Sequence, residues 1–431
     1  MVPDDTRGVE RGLRPRDGKT LQGGAAGESA AIPERQAGAR DVPLYPRVRS
    51  FPARAAHSLE ESAAGGRLDQ HRVAFDDGKR GPQWQPGRGC AGTATVKPRV
   101  LVLAPFAAPW LSKLAESCDV VHEDWRHTGR LQDPEALGAR LRSDGFLAVI
   151  VEADFLFEET FAAAPGLKFA GICRAATNQV DVAAATRRGV IVVNTPGRNA
   201  VAVAELTVGL MFALARRIPE ADSYVRSGRW ESPTAAYTGL RGMELAGRTA
   251  GVIGFGALGR AVGTLCQAIG MRVVAHDPVV PPEEITATGA RPLALEALLG
   301  ASDFITLHAR TTGNDGALLN EATLKAVRRG SYLVNTASPG LVDQHALVQL
   351  LRSGHLRGAA IDVFETHPIE PSHPLLGLDN VILTPHIGGA TDETIDRHSE
   401  AMATALLSFL AGKRPHNLVN PEAWKGSGQR E

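Results

Sequence analysis

The run Arg248-Thr-Ala-Gly-Val-Ile-Gly-Phe-Gly-Ala-Leu-Gly-Arg260, followed by Met271-Arg-Val-Val-Ala-His-Asp277, constrains this chain more than any other feature. Thr249 to Ile253 read as a short buried strand. Gly254, Gly256 and Gly259 then supply the tight turn, the close backbone approach to a pyrophosphate and the close helix–strand packing of a GxGxxG fingerprint. The helix that follows, with Arg260 and Ala261 onward, presents unpaired N–H groups and the positive end of its dipole to an anion. A second strand, Arg272 to Ala275, ends at Asp277, about 18 residues past Gly259, where a carboxylate accepts ribose hydroxyls. A carboxylate there repels a 2′-phosphate, which favours NAD over NADP. A lone glycine pattern is an ordinary turn as often as a nucleotide site; strand, glycines, helix, strand and acid in this order are not.

The rest of the chain has the same rhythm. Arg99 to Ala104, Val120 to Glu123, Ala148 to Val151, Leu167 to Cys173 and Val190 to Asn194 read as strands, with helices at Trp110 to Glu116, Pro134 to Ser143 and Val182 to Arg188. A long apolar helix at Ala200 to Arg217 follows, then a loop segment with Trp230 and Tyr237. Beyond the fingerprint, strands are expected at Phe304 to His308, Ser331 to Asn335, Gly358 to Phe364 and Val381 to Pro385, and a final helix at Asp392 to Leu410. Alternation of this kind gives an α/β fold of two doubly wound parallel-sheet domains, Rossmann or flavodoxin-like, with a cleft between them at the carboxyl ends of the strands. The expected division is a low-complexity extension over 1–97, a substrate-binding domain of 98–197 plus 388–421, and a nucleotide-binding domain of 198–387.

Residues 1–97 mix Gly, Ala, Pro and Arg with few aliphatics and no sustained periodicity, and read as disordered. Asp4, Asp5, Glu60, Glu61, Asp76 and Asp77 interrupt the arginines, which argues for a solvated tail over a nucleic-acid arm; a fold whose true start lies near Val96 is the competing reading. Lys plus Arg and Asp plus Glu each number 47, so no net charge draws the chain to nucleic acid or an anionic membrane. Cys90, Cys118, Cys173 and Cys266 have no ligand spacing, so no metal site or disulfide framework is implied. With no apolar run of membrane-spanning length and no signal peptide pattern, a cytoplasmic protein is expected.

Five loops carry a resemblance: Cys173-Arg-Ala-Ala-Thr-Asn-Gln-Val-Asp181, Asn194-Thr-Pro-Gly-Arg-Asn-Ala200, Asn335-Thr-Ala-Ser-Pro-Gly-Leu-Val-Asp343, Asp362-Val-Phe-Glu-Thr-His-Pro368 and Thr384-Pro-His-Ile-Gly-Gly389. From about Val100 to Pro421 the chain resembles the D-isomer-specific 2-hydroxyacid dehydrogenase family, in its phosphoglycerate dehydrogenase-like branch. The resemblance implies hydride transfer between nicotinamide and C2 of a small 2-hydroxy or 2-oxo acid, and a homodimer formed through the cofactor domains, with the helix from Ala200 as its contact. It also implies cofactor contacts from the backbone amides of Ala257 and Leu258 and from Ala309, Thr336, Ala337 and Gly388, with Asp362 near the nicotinamide amide.

In that family a His exchanges the hydroxyl proton, a Glu holds the His charged or oriented, and an Arg binds the substrate carboxylate. His386 matches the His, and an imidazole with a pKa of ~6.5 serves in both directions. Without the resemblance, a single His in a Pro-His-Ile-Gly turn reads more often as a structural residue. The other two positions depart from the pattern: Ser338 stands where the Arg is expected and His367 where the Glu is expected, with Glu365 nearby. A bidentate clamp is reduced to a hydroxyl, and a carboxylate that would raise the His386 pKa is replaced by an imidazole that cannot. Arg174, Arg310 and the backbone N–H groups of Ala176, Thr177 and Asn178 are the candidate replacements for the carboxylate anchor. Two functions fit: an NAD-dependent 2-hydroxyacid oxidoreductase with an altered anchor, or an NAD(H)-binding protein with little turnover that acts through protein contacts.

Overall fold

The computed structural model describes residues 96–310 and 316–425, which belong to one compact unit. The expectation for residues 1–97 therefore lies outside the described residues except for Val96 and Lys97.

Two parallel sheets organise the chain. Strands β1 (Arg99–Val102), β2 (Asp119–His122), β3 (Phe146–Val151), β4 (Phe169–Ile172) and β5 (Ile191–Asn194) form a sheet of order β2-β1-β3-β4-β5. Strands β6 (Thr249–Ile253), β7 (Arg272–His276), β8 (Arg291–Pro292), β9 (Phe304–Leu307), β10 (Tyr332–Asn335), β11 (Gly358–Ile361) and β12 (Val381–Leu383) form the second, of order β12-β11-β10-β9-β6-β7-β8. Every β-residue of β3, β4, β6, β9, β10 and β11 is buried, which is why these strands read as continuous apolar runs. The order reverses between β1 and β3 in one sheet and between β6 and β9 in the other, so crevices open at those carboxyl ends.

Apolar spacing decides which helix serves which sheet. Helix Ala200–Arg216 buries Val203, Ala204, Thr207, Val208, Leu210, Met211 and Leu214, a stripe at helical intervals, against Val252, Val262, Phe304 and Tyr332 of the second sheet's core. Arg217, with φ +53°, ends it in a left-handed turn. The final helix, Asp392–Leu410, returns to the first sheet, where Met402, Leu406 and Phe409 pack with Val100, Phe169 and Val193. The chain thus crosses between the domains twice, after Asn194 and before Asp392.

One expectation is corrected. The segment with Trp230 and Tyr237 is not a plain loop: helices Ile218–Arg226 and Pro233–Gly239 occupy it, and Tyr237 is helical. Ser232 accepts from the Ala235 amide at 3.3 Å and Pro233 opens the helix, a start signal written in the residues themselves. Neither helix of this arm buries a residue, although Ile218, Ala221 and Val225 stand at helical spacing in the first. Ile218, Val225, Trp230 and Tyr237 are exposed along it, and Phe212 on the preceding helix.

The fingerprint glycines have separate reasons. Gly254 has φ +86°, and a side chain there would strike the backbone of His308 and Ala309. A Cβ on Gly259 would collide with the Gly254 carbonyl, whereas one on Gly256 would meet nothing within 4 Å. Gly259→Ala is therefore expected to cost about 1–3 kcal/mol by overpacking. Gly256→Ala is expected to leave the melting temperature unchanged while weakening NADH binding. Thermal denaturation and NADH fluorescence on the two variants check this; equal melting losses would contradict it.

Candidate active site

The fingerprint loop places three kinds of group around the carboxyl end of β6. The first intrahelical bond of helix Ala257–Ala268 is Arg260 N to Gly256 O at 2.9 Å, so the amides of Ala257, Leu258 and Gly259 precede it and face outward from the helix start. The open space over Gly256 is a cradle that a Cβ would fill, and it fits a pyrophosphate. Asp277 follows β7 and accepts from Phe255 N at 2.6 Å, Val279 N at 2.8 Å and Val280 N at 3.0 Å. Burial alone would raise its carboxyl pKa, but these amides outweigh burial and hold it below the usual carboxylate range. An ionised carboxylate with one lone-pair site to spare remains for a ribose hydroxyl.

A cleft of about 790 Å³ opens between the sheets. From the second domain it is lined by Gly256, Ala257, Leu258, His308, Ala309, Arg310, Thr336, Ala337, Asp362, His386 and Gly388; from the first by Trp125, Arg126, Glu152, Arg174, Ala175 and Ala176. His386 has φ +57°, a conformation a non-glycine residue holds only when its surroundings enforce it. Asp362 supplies the enforcement. It is 1% exposed, and its oxygens accept from Thr384 Oγ1 at 2.6 Å and from the amides of Ile387 and Gly388 at 2.9 Å each. A Cβ on Gly388 would crowd Asp362 and Val203, so the turn admits little else. Asp362 therefore pins the His386 turn, a role the sequence did not indicate.

His386 Nδ1 faces His367 Nε2 at 3.4 Å, with the ring planes 36° apart. Burial is the main reason the His386 pKa falls below its ordinary value; Asp362 opposes the fall, and His367 and Arg174 add to it. Arg174, at the end of β4, is half-buried, and its guanidinium has no hydrogen bond or ion pair among the described residues. The other arginines on that wall are committed. Arg126 pairs with Asp124 at 2.5 Å, and Arg198 with Glu152 at 2.6 Å.

Not every expected residue reaches the cleft. Gly254, Gly259 and Asp277 lie in the fingerprint beyond its lining, and Thr177, Asn178, Ser338 and His367 are absent from it, although His367 touches it through His386. Asn335 explains the position of Ser338: its side chain accepts from the amides of Ala337 and Ser338 and donates to the Ser338 carbonyl at 2.8 Å, closing a tight turn. Thr336 Oγ1 lies 3.0 Å from Thr207 Oγ1, which ties the apolar helix to the end of β10.

Three cleft residues, Glu152, Arg198 and His308, and the buried His398 behind them were not singled out from the sequence. Glu152 follows β3 directly, so the rule that sites gather at strand carboxyl ends would have found it. It accepts from Trp125 Nε1 at 3.3 Å and is held by Arg198. Arg198 in turn donates to His398 Nδ1 at 2.7 Å, whose Nε2–H donates to Pro105 O at 2.6 Å. His308 ends β9, with Nε2 2.9 Å from Thr306 Oγ1, and burial drives its pKa down to about 3.

Comparison with known proteins follows this geometry. Residues 208–388 match the model of the D-isomer specific 2-hydroxyacid dehydrogenase NAD binding domain. A glyoxylate reductase of Thermofilum pendens is 38% identical over 76% of this chain and 96% of its own length. The chain belongs to the D-isomer specific 2-hydroxyacid dehydrogenase family. A D-3-phosphoglycerate dehydrogenase of Archaeoglobus fulgidus is 38% identical over 61% of this chain, which spans 49% of that protein. Among solved structures, the TT0316 protein of Thermus thermophilus superposes with a TM-score of 0.66 at 38% identity, over 74% of this chain and 99% of its own. D-lactate dehydrogenase of Escherichia coli superposes at 0.63 with 28% identity, over 74% and 99%. NAD is the cofactor of the matched domain, and the glycine cradle and Asp277 fit it.

This member of the dehydrogenase family carries the glycine turn and Asp277, and in its cleft the imidazole of His386 is paired with that of His367. Replacing His367 with Glu would put a carboxylate beside His386 and favour its cation, so His367→Glu is expected to raise the His386 pKa by about one unit or more. A proton NMR titration, with the His386 signal identified by its loss in His386→Gln, reads this directly. A titration unchanged by the substitution would mean that His367 does not govern His386.

Proposed function

We propose that the protein is an NAD-dependent oxidoreductase moving a hydride to or from C2 of a 2-hydroxy or 2-oxo acid, with Arg174 as the substrate carboxylate anchor. The observation that carries this reading is the uncommitted Arg174 guanidinium, whose charge reaches His386 across the cleft. A guanidinium binds a carboxylate through two parallel bonds, and the Ala176 amide beside it supplies a further donor. NADH supplies or recovers the hydride. Asp362 holds the His386 turn, and His386 exchanges a proton with the C2 oxygen. Ser338 does not line the cleft, and Arg310 stands at its exposed edge, so neither is assigned the anchor.

NADH oxidation by the purified protein against a panel of 2-oxo acids tests the reading. Arg174→Gln is expected to raise KM by roughly 10- to 100-fold with a smaller change in kcat, and to leave NADH affinity unaltered. An unchanged KM would remove Arg174 from the role. Asp277→Ala is expected to weaken NADH and narrow its preference over NADPH, read by fluorescence titration of both; an unchanged ratio contradicts the ribose assignment. The His386–His367 pair favours a second reading, an NAD(H)-binding protein with little turnover, which predicts tight NADH binding and no oxidation across the panel.

The same reading includes a homodimer. Val201 and Phe212 on the apolar helix, and Ile218, Val225, Trp230 and Tyr237 on the arm, expose apolar surface in one continuous stretch of chain. A second copy is the partner the family supplies for that stretch. Val225→Glu with Tyr237→Glu is expected to convert the dimer to a monomer by light scattering.

A further inference from the structure

We propose that the electrophile reduced in this cleft is a 2-imino acid, the protonated C=N adduct of a 2-oxo acid with ammonia or a primary amine, in preference to the 2-oxo acid itself. The proposal deepens the oxidoreductase reading above and rests on it.

Hydride addition to a ketone makes two demands on a protein. The carbonyl oxygen must be polarised as negative charge builds on it, and a proton must reach the alkoxide. A protonated imine makes neither demand, because its nitrogen already bears the positive charge and the proton. This site is deficient in those two respects. On the second-domain wall Ser338 stands where a guanidinium is expected, held in a tight loop by Asn335 and absent from the cleft lining, so this position offers no positive charge to a carbonyl oxygen, just as it offers none to a carboxylate. The free guanidinium beside His386 is Arg174, on the opposite wall, where holding the carboxylate occupies it.

The proton supply is similarly weakened. His386 Nδ1 meets an imidazole at 3.4 Å where a carboxylate would have favoured the cation. Asp362, the nearest acid, already accepts three bonds from Thr384, Ile387 and Gly388. Burial lowers the His386 pKa further and so favours the neutral ring, which keeps one acceptor nitrogen beside its one N–H. A neutral imidazole suits an iminium N–H, which donates a hydrogen bond that a ketone cannot. On the facing wall Arg198 is paired with Glu152 and Arg126 with Asp124, so among the described residues the unpaired cations of the cleft are Arg174, held by the substrate carboxylate, and Arg310 at the exposed edge.

The step balances without a proton from the protein. C2 gains a hydride from NADH, which leaves as NAD+, and the C=N π pair withdraws onto nitrogen, discharging it. The resulting amine takes its proton from water.

The test uses the full-length protein with NADH and glyoxylate, pyruvate or phenylpyruvate, each alone, with methylammonium chloride, and with tetramethylammonium chloride at equal ionic strength, at neutral and mildly alkaline pH. Tetramethylammonium cannot form an imine. Methylamine is expected to raise the initial rate at least about tenfold over either control, a difference of ~1.4 kcal/mol in barrier. Mass spectrometry should then identify the N-methyl amino acid as product. Ser338→Arg is expected to shift the ratio of rates towards the oxo acid. Equal rates with and without methylamine, or 2-hydroxy acid as the product in its presence, overturn the imine inference and leave the oxidoreductase reading intact. NADH binding with no oxidation under any condition overturns both.

Discussion

The contact of Gly254 with the two chain segments that pass over it sets the geometry of the cleft. Its carbonyl lies where a Cβ on Gly259 would be, so the helix start is drawn down onto β6, and its own α-carbon leaves no room for a side chain against His308 and Ala309. The amides of Ala257 and Leu258, and the end of β9, are thereby brought to one crevice. Parallel β6 and β9 diverge at this point because the order of strands reverses there. Every residue of the cleft on that wall is placed relative to this backbone-to-backbone approach, which depends on an absence of side chains and not on any attractive pair.

What the sequence showed, and what it did not, follows from the range over which each interaction acts. The fingerprint, the buried strands and Asp277 are local patterns, and a strand buried on both faces announces itself as an apolar run. The helices at Ile218–Arg226 and Pro233–Gly239 bury none of their residues and are short, and the signals they did carry, Ile218, Ala221 and Val225 at helical spacing and the starts at Pro219, Ser232 and Pro233, were passed over beside the longer apolar helix. The positioning role of Asp362 depends on a turn that follows the next strand. The link from Glu152 through Arg198 to His398 joins three distant parts of the chain, and no spacing rule reaches across them. The resemblance located His386, Ser338 and His367; the structure alone shows that Ser338 is not among the residues lining the cleft while Arg174 is, with its guanidinium unpaired among the described residues.

The charges around His386 form a pattern of their own. Nearly every buried or paired group in the cleft is internally compensated: Arg198 by Glu152, Arg126 by Asp124, Asp362 by one hydroxyl and two amides. Arg174 is the exception on the first-domain wall. On the proposed function, Arg174 takes up the substrate's anion and little acid–base work falls to His386. Ser338 and His367, where the family resemblance leads one to expect an arginine and a glutamate, then belong to one change: the carboxylate anchor moves to the other wall, and the histidine loses the acid that would keep it charged, which a carbon that arrives already activated does not need.

Arg198 and His398 sit on opposite sides of the two chain crossings, and Arg397 Nη1 donates to the Arg198 carbonyl at 2.7 Å. The strand of chain that leaves the first domain is thus gripped, through backbone and side chain, by the helix that re-enters it. The His398 ring is fully buried, and its Nε2–H is directed to Pro105 O, so Nδ1 is left bare for the guanidinium in a single tautomer. Two peptide crossings that would otherwise act as independent tethers are fused into one seam. Slippage of one crossing past the other would break these bonds, so a change in the angle between the walls is cheapest when it pivots at this joint, as a door does on a single pin.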